Sequence, residues 1–499
     1  MTHAMQPAIA LARSGSTYVE FEAGNEQDTM VERGGGRNRR PLRWGVAAAA
    51  LALGVSGFVV LDPLGLNDGE SGPVAEAPVA AEDLAPGSMY HVVDQVGARA
   101  LWQQGITGSG VNVAVIDTGV TPVESLAGDG KIVAVADLSS EAGSPATAFV
   151  DSNGHGTHLA AIIAGREPGA NPVDSAAHPE TFLGVAPDAG IVSVKVADRA
   201  GDTRPIDVIG GIDWVVENAA ELDIRVLNLA FDSGSRVDYT DDALSAAVER
   251  AWKAGITVVT AAGNNGDELV GLASPASNPY VIAVGGALTG DQLGVADWSA
   301  LGDGERNPDV VAPSVSIESA RVAGSDADLN HPTGYVDPET FKGTGSSQGA
   351  AVTAGLAALL LQEHPEWTPD DVKAALTRSA TPIPGADPSR AGAGLVDAVG
   401  AAEADVSGAA QTFAAAAPQG VDAQPADARP VVAVQNLAPG IEWAGATWSG
   451  ATWSGATWSG ATWSGATWSG ATWSGATWSG ATWSGATWSG ATWSGATWS

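Results

Sequence analysis

Short apolar runs rich in β-branched residues recur through the middle of the chain, and stretches with helical spacing separate them. Residues 111–116 (VNVAVI) are apolar on both faces, the pattern of a strand covered on two sides in a parallel sheet. The runs IVSVKV at 191–196, RVLNL at 225–229, ITVVTAA at 256–262 and YVIAVG at 280–285 repeat it. Residues 207–222 and 241–254 have acidic starts and amphipathic spacing. The order strand, helix, strand, helix predicts an α/β fold built on a doubly wound, mostly parallel sheet. Residues 350–361 are almost wholly Ala, Val, Gly and Leu, which predicts a buried helix. Ligands of such sheets gather beyond the carboxyl ends of the strands, where Asp117 and Asn264 fall.

The ends of the chain follow other rules. Residues 44–61 hold no charged residue and would span about 27 Å as a helix, close to a hydrocarbon core of about 30 Å. Arg33, Arg37, Arg39, Arg40 and Arg43 precede this run, and no Lys or Arg follows it until Arg99. The asymmetry predicts a single-pass membrane anchor with residues 1–43 in the cytoplasm and the rest outside. The alternative is secretion after signal cleavage near the small residues Val79, Ala80 and Ala81. Residues 62–88, rich in Pro, Gly, Ala and acid, read as a tether. A globular domain is expected at 89–402 and a second linker at 403–443. From 444 to 499 the unit SGATW repeats with Trp at every fifth position, a candidate for binding the cell envelope or other copies of the chain. An odd period would send successive Trp to opposite faces of one extended strand. Turns at Ser and Gly would instead stack the units, and disorder is the third outcome.

Composition narrows the partners. A formal net charge of −34 excludes nucleic acid, whose phosphates such a surface repels, and favours basic substrates or partners. The absence of Cys removes disulfides, thiol catalysis and Cys-type zinc sites.

Three motifs carry candidate chemistry. GTGSSQGAAVTAG at 343–355 sets Ser347 at a glycine-rich opening to the apolar helix, whose first-turn amides could stabilise a negative oxygen. DSNGHGTHLAAIIAG from Asp151 sets His155 between two glycines at the mouth of another small-residue helix. Asp117 closes the first strand. Taken singly, each has a bland reading as a helix cap or turn residue. His155 and His158 are three apart, but the next acid, Glu167, lies beyond the helix, so no metal ligand is assigned. Together, Asp, His and Ser are the three types that an activated serine needs: nucleophile, base and a group that orients the base.

With these residues in hand, the chain resembles the subtilisin-like serine peptidases. VAVIDTGV carries the aspartate pattern, NGHGTHLA the histidine pattern and GSSQGAAVTAG the serine pattern, in the family's order Asp, His, Ser. AAGNNG at 261–266, DVVAP at 309–313 and WTPDDVKAAL from Trp367 extend the likeness over about 89–402. The resemblance implies that Asp117 orients, His155 is general base and then acid, and Ser347 is the nucleophile. Ser347 is preferred to Ser346 because Gly355 then falls at the family's spacing. It further implies that Asn264 and the Ser347 amide bind the oxyanion, and that Ala230, Phe231, Asp232 and Gly263 border the substrate. Where relatives read NMSLG, this chain has a carboxylate at Asp232 in place of the last glycine. Gln348, Gly349 and Ala351 also depart from the pattern. Residues 166–183 do not resemble the family's calcium loop, so structural calcium stays open without assigned ligands, and the chemistry requires no cofactor. The family's folded pro-segment is not evident in residues 1–88. The expectation is a membrane-tethered, extracytoplasmic serine endopeptidase acting on protein or peptide substrates through an acyl-enzyme. The alternative is a non-enzymatic surface-attachment protein that uses the fold as a scaffold and the Trp repeat for binding. A serine esterase of α/β-hydrolase type fits less well, since there the serine precedes Asp and His.

Overall fold

The computed structural model describes residues 80–417, apart from 129, 145 and 291, and the short strands of the repeat between 442 and 498. The expected anchor at 44–61 and most of the tether lie outside the described residues. Among the described residues no helix is long and apolar enough to cross a membrane.

In chain order the elements are α1 (Met89–Gln95), α2 (Ala98–Trp102), β1 (Asn112–Asp117), β2 (Ile132–Asp137), α3 (His155–Ala164), β3 (Gly190–Lys195), α4 (Pro205–Asn218), β4 (Ile224–Leu229), α5 (Ala243–Lys253), β5 (Thr257–Ala261) and β6 (Ile282–Ala287). They continue with β7 (Val310–Pro313), β8 (Ile317–Ala320), α6 (Asp326–Asn330), β9 (Thr340–Gly343), α7 (Ser346–Glu363) and α8 (Pro369–Ser379). Strands β1 to β7 form one sheet in the order β2-β3-β1-β4-β5-β6-β7, with every neighbour parallel. The five apolar runs are β1, β3, β4, β5 and β6, and in β3, β5 and β6 every residue is buried. Chain order reverses about β1, which opens a crevice between the ends of β1 and its neighbours. Strands β2 and β7 and the antiparallel pair β8–β9 had no clear signal in the pattern. The Ala content of β2 blurs its period, and β7 is a four-residue edge strand ending in Pro313, which an edge tolerates.

Helix α7 is buried from Ser346 through Leu361, as its unbroken apolar composition requires. It packs against α3 and across β4 to β7. A Cβ on Gly355 would stand 2.6 Å from the Cβ of Val185, so this position must lack a side chain for the helix to seat. Leu356, Leu359 and Leu360 are fully buried, and truncating any of them to Ala costs about 2–5 kcal/mol.

The domain extends beyond its expected limits at both ends. The Gly87 carbonyl accepts from the Glu318 amide, and Ala81 O lies 3.1 Å from His91 Nε2. At the other end Gln411 Nε2 donates to Asp370, Ala416 N donates to Glu249, and Phe413 stacks edge-on against Tyr280 at 5.5 Å. Residues 403–417 are therefore docked, not a free linker. Composition hid this because backbone groups make many of the contacts.

In the repeat, each Thr-Trp-Ser triplet pairs in parallel and in register with the triplet twenty residues on, so that Trp448 faces Trp468 and Trp468 faces Trp488. Four three-stranded sheets result. Twenty residues are four units of five, so the pairings describe a coil of four short strands per circuit.

Candidate active site

Three element ends build the site. Asp117 closes β1, His155 opens α3, and Ser346 and Ser347 open α7. His155 Nδ1 donates to Asp117 Oδ1 at 2.8 Å, and the Thr118 amide donates to the same oxygen at 2.8 Å. The Asp117 side chain is buried, whereas 35% of the His155 side chain remains exposed. A Cβ on Gly156 would lie 2.2 Å from the Gly119 carbonyl oxygen, so a bare backbone at 156 lets α3 press its first turn against the end of β1.

Asp151 organises the turn that carries the histidine. Its Oδ1 accepts from Thr118 Oγ1 at 2.8 Å and from the Asn153 and Gly154 amides, while Oδ2 accepts from both the amide and hydroxyl of Thr157. The Gly156 amide in turn donates to Thr118 Oγ1 at 2.9 Å. Lys195, wholly buried, braces the same turn by donating to Glu141 Oε2 at 2.7 Å, to the Val150 carbonyl at 2.8 Å and to Ser152 Oγ at 3.2 Å. The sequence reading missed Asp151, although an Asp two and three residues before Asn and Gly is an available signal for a side chain that caps its own turn.

Burial alone would lower the pKa of His155, but the charge and hydrogen bond of Asp117, with Asp151 adding, raise it above the ordinary histidine value. His158, one turn on and buried, is pushed down to about 3, first by burial and then by the neighbouring His155. It stays neutral.

The two serines have different partners. Ser346 donates from its amide at 2.7 Å and its hydroxyl at 2.8 Å to Asn264 Oδ1, and its Oγ accepts from the Gly263 amide at 3.2 Å. Ser346 thus fixes the Asn264 amide by its oxygen, leaving Nδ2 as the end available to a ligand. Ser347 Oγ donates to the Ala230 carbonyl at 3.0 Å. His155, Asn264 and Ser347 open together into a crevice of about 540 Å³, whose wall continues through Asp326, His331 and Lys342. That further wall comes from the segment between β8 and β9 and from β9 itself, which the motifs did not reveal. Ala230, Phe231, Asp232 and Gly263 do not line this crevice; they follow the adjacent strands β4 and β5, and Ala230 touches Ser347.

The arrangement joins a buried carboxylate, a partly exposed imidazole, a serine on a helix first turn and an anchored amide donor. A family model described as the subtilase family matches residues 108–405. Serine protease AprX of Bacillus subtilis (strain 168) is 36% identical over 308 residues, covering 59% of this chain and 66% of that protein. The chain therefore spans about two thirds of AprX. Subtilisin NAT of Bacillus subtilis subsp. natto is 31% identical over 376 residues, 73% of this chain and 83% of that protein. The subtilisin of Bacillus pumilus is 33% identical over 301 residues, 59% and 92% respectively.

Proposed function

Since this chain belongs to the subtilase family and is a serine-type endopeptidase with protein or peptide substrates, we propose that Asp117, His155 and Ser347 perform its chemistry through an acyl-enzyme. The carrying observation is the 2.8 Å contact of His155 Nδ1 with Asp117, in a crevice that His155 shares with Ser347 and Asn264. Asp117 holds the ring with Nε2 free to accept a proton. Ser347 Oγ leaves the Ala230 carbonyl, gives its proton to His155 Nε2 and attacks the substrate carbonyl carbon. The carbonyl oxygen, now negative, is held by Asn264 Nδ2 and the Ser347 amide, whose bonds strengthen as charge develops. His155 then passes the proton to the leaving amine, and water repeats the sequence to release the acyl group. Labelling with a fluorophosphonate and mapping the adduct by mass spectrometry tests this: modification at Ser347 is expected, and modification at Ser346 overturns the assignment.

The enzyme acts outside the cytoplasm, held by the 44–61 segment, with the repeat binding the envelope or other copies. The arginines before residue 44 support this orientation. Sequencing the mature N-terminus separates the retained anchor from the secreted alternative, which predicts a start just after Ala81.

A further inference from the structure

The crevice that holds His155 receives the leaving amine, because His155 must give that amine its proton. Ser347 also meets the Ala230 carbonyl, which follows β4 beside the end of β5 and does not line that crevice, so the acyl side of the scissile bond is assigned to this face. Gly263 follows the end of β5 there. Two acceptor oxygens converge on the point where a Gly263 Cβ would stand: Asn265 Oδ1 at 3.2 Å and Asp232 Oδ2 at 3.9 Å. The methyl group of Ala300 lies 3.4 Å from the same point. Asp232 is exposed, and its other oxygen is held by the Gly234 amide at 2.8 Å, which orients the carboxylate. Among the described residues no ion pair neutralises it, and Arg236, the nearest arginine in sequence, is turned onto the Gly271 carbonyl.

We propose that Asp232, with Asn265, selects a lysine or arginine side chain on the acyl side of the cleaved bond. The small residues Gly263 and Ala300 accept the methylene stem, and two oxygens meet the cationic head, the division of labour that long basic side chains favour. The net charge of −34 draws basic substrates to the same surface. This proposal rests on the Ser347 mechanism above.

The test uses the full chain and matched peptides that differ only in Lys, Arg, Leu or Glu at the acyl-side position. Lys and Arg are expected to exceed Leu in kcat/KM by about tenfold, with Glu the poorest, and high salt should shrink the preference. Asp232→Asn is expected to reduce the Lys-to-Leu ratio about tenfold, and Asp232→Glu to restore part of it. A wild-type chain that prefers Leu overturns the proposal whether or not the variants fold, and so does an unchanged ratio in Asp232→Asn. If the wild type carries the fluorophosphonate on Ser347, either result overturns the selectivity alone. Failure of labelling together with failure to cut any peptide removes the mechanism, and the selectivity with it.

Discussion

The sheet domain and the repeat tail pair their strands by opposite rules. In the domain, β1 lies between β3 and β4, so Asn112 meets both Gly190 and Ile224, and Ser347 reaches a carbonyl 117 residues away in sequence. In the tail every triplet meets the one twenty residues along, always Thr on Thr, Trp on Trp and Ser on Ser where the unit is intact. An aperiodic sequence makes each strand end a different environment, and only such a sequence can give one aspartate, one histidine and one serine their separate partners. A strict repeat makes equivalent places, which suits an array of like contacts but not a single reacting centre. One substitution should therefore silence the domain, whereas the tail should lose function in proportion to the units removed.

The sharpest break is expected at the nucleophile. Ser347→Ala should lower kcat by about 10⁴- to 10⁶-fold, measured on a chromogenic peptide, while Ser346→Ala, which loosens one of two bonds on Asn264, should retain much of the activity. The reverse pattern would shift the register of the site by one residue. Asp117→Asn should cost about a thousand- to ten-thousandfold. It should also move the acid limb of the pH profile. His155 must be neutral to accept the serine proton, and its pKa stands above the ordinary value because of Asp117, so activity in the native enzyme falls as pH drops through that raised value. Without the carboxylate charge the pKa falls, and the residual activity should persist to lower pH. An acid limb that stays in place would deny Asp117 its electrostatic role.

Asn264→Ala is expected to lower kcat by about a hundred- to a thousandfold with little change in KM, the usual worth of one oxyanion donor. Unchanged turnover would take Asn264 out of the site. His158 provides a stability counterpart. It is neutral in the fold with a pKa of about 3, whereas the unfolded chain takes up a proton near pH 6.5. Its contribution is fully present above about pH 6.5 and is lost as pH falls toward 3, at roughly 1.4 kcal/mol per unit. Urea midpoints measured across that window should fall less steeply in His158→Gln than in the native chain.

How much of this was legible follows from what each residue touches. The strands β1, β3, β4, β5 and β6 could be read because burial on both faces demands unbroken apolar runs, and the places of Asp117, His155 and Ser347 at element ends because each sits where such a run or an apolar helix meets glycine or acid. Hydrogen bonds across the fold left no local trace. Nothing near Ser347 in sequence indicates that its hydroxyl rests on Ala230, nor does the text around Ser346 announce that it anchors Asn264. The wall from Asp326 to Lys342 was equally hidden, since a polar loop closing on a crevice looks like any other polar loop. Two expected boundaries moved outward for a related reason: the stretch at 80–88 binds through backbone groups, and 403–417 through backbone groups together with the isolated side chains Gln411 and Phe413, which composition does not report.

The smallest effect on chemistry should come from the largest deletion. Removing residues 436–499 takes away the whole repeat, yet Asp117, His155, Asn264 and Ser347 draw all the partners described above from residues 117–347. Sites without shared partners act independently, so kcat/KM on a small soluble peptide should stay within about twofold of the full chain. Association should change far more. After Glu442 the tail has no charged residue to oppose contact, and its Trp content supplies large apolar rings at a fixed interval. Within the chain, each triplet pairs in register with the next circuit. Truncated protein is therefore expected to sediment as a smaller species and to be released from the cell envelope more readily than the full chain. If the truncated protein remained folded but lost peptide hydrolysis, the domain and the tail would share the active site. If it instead assembled and localised like the full chain, the repeat would have no part in attachment.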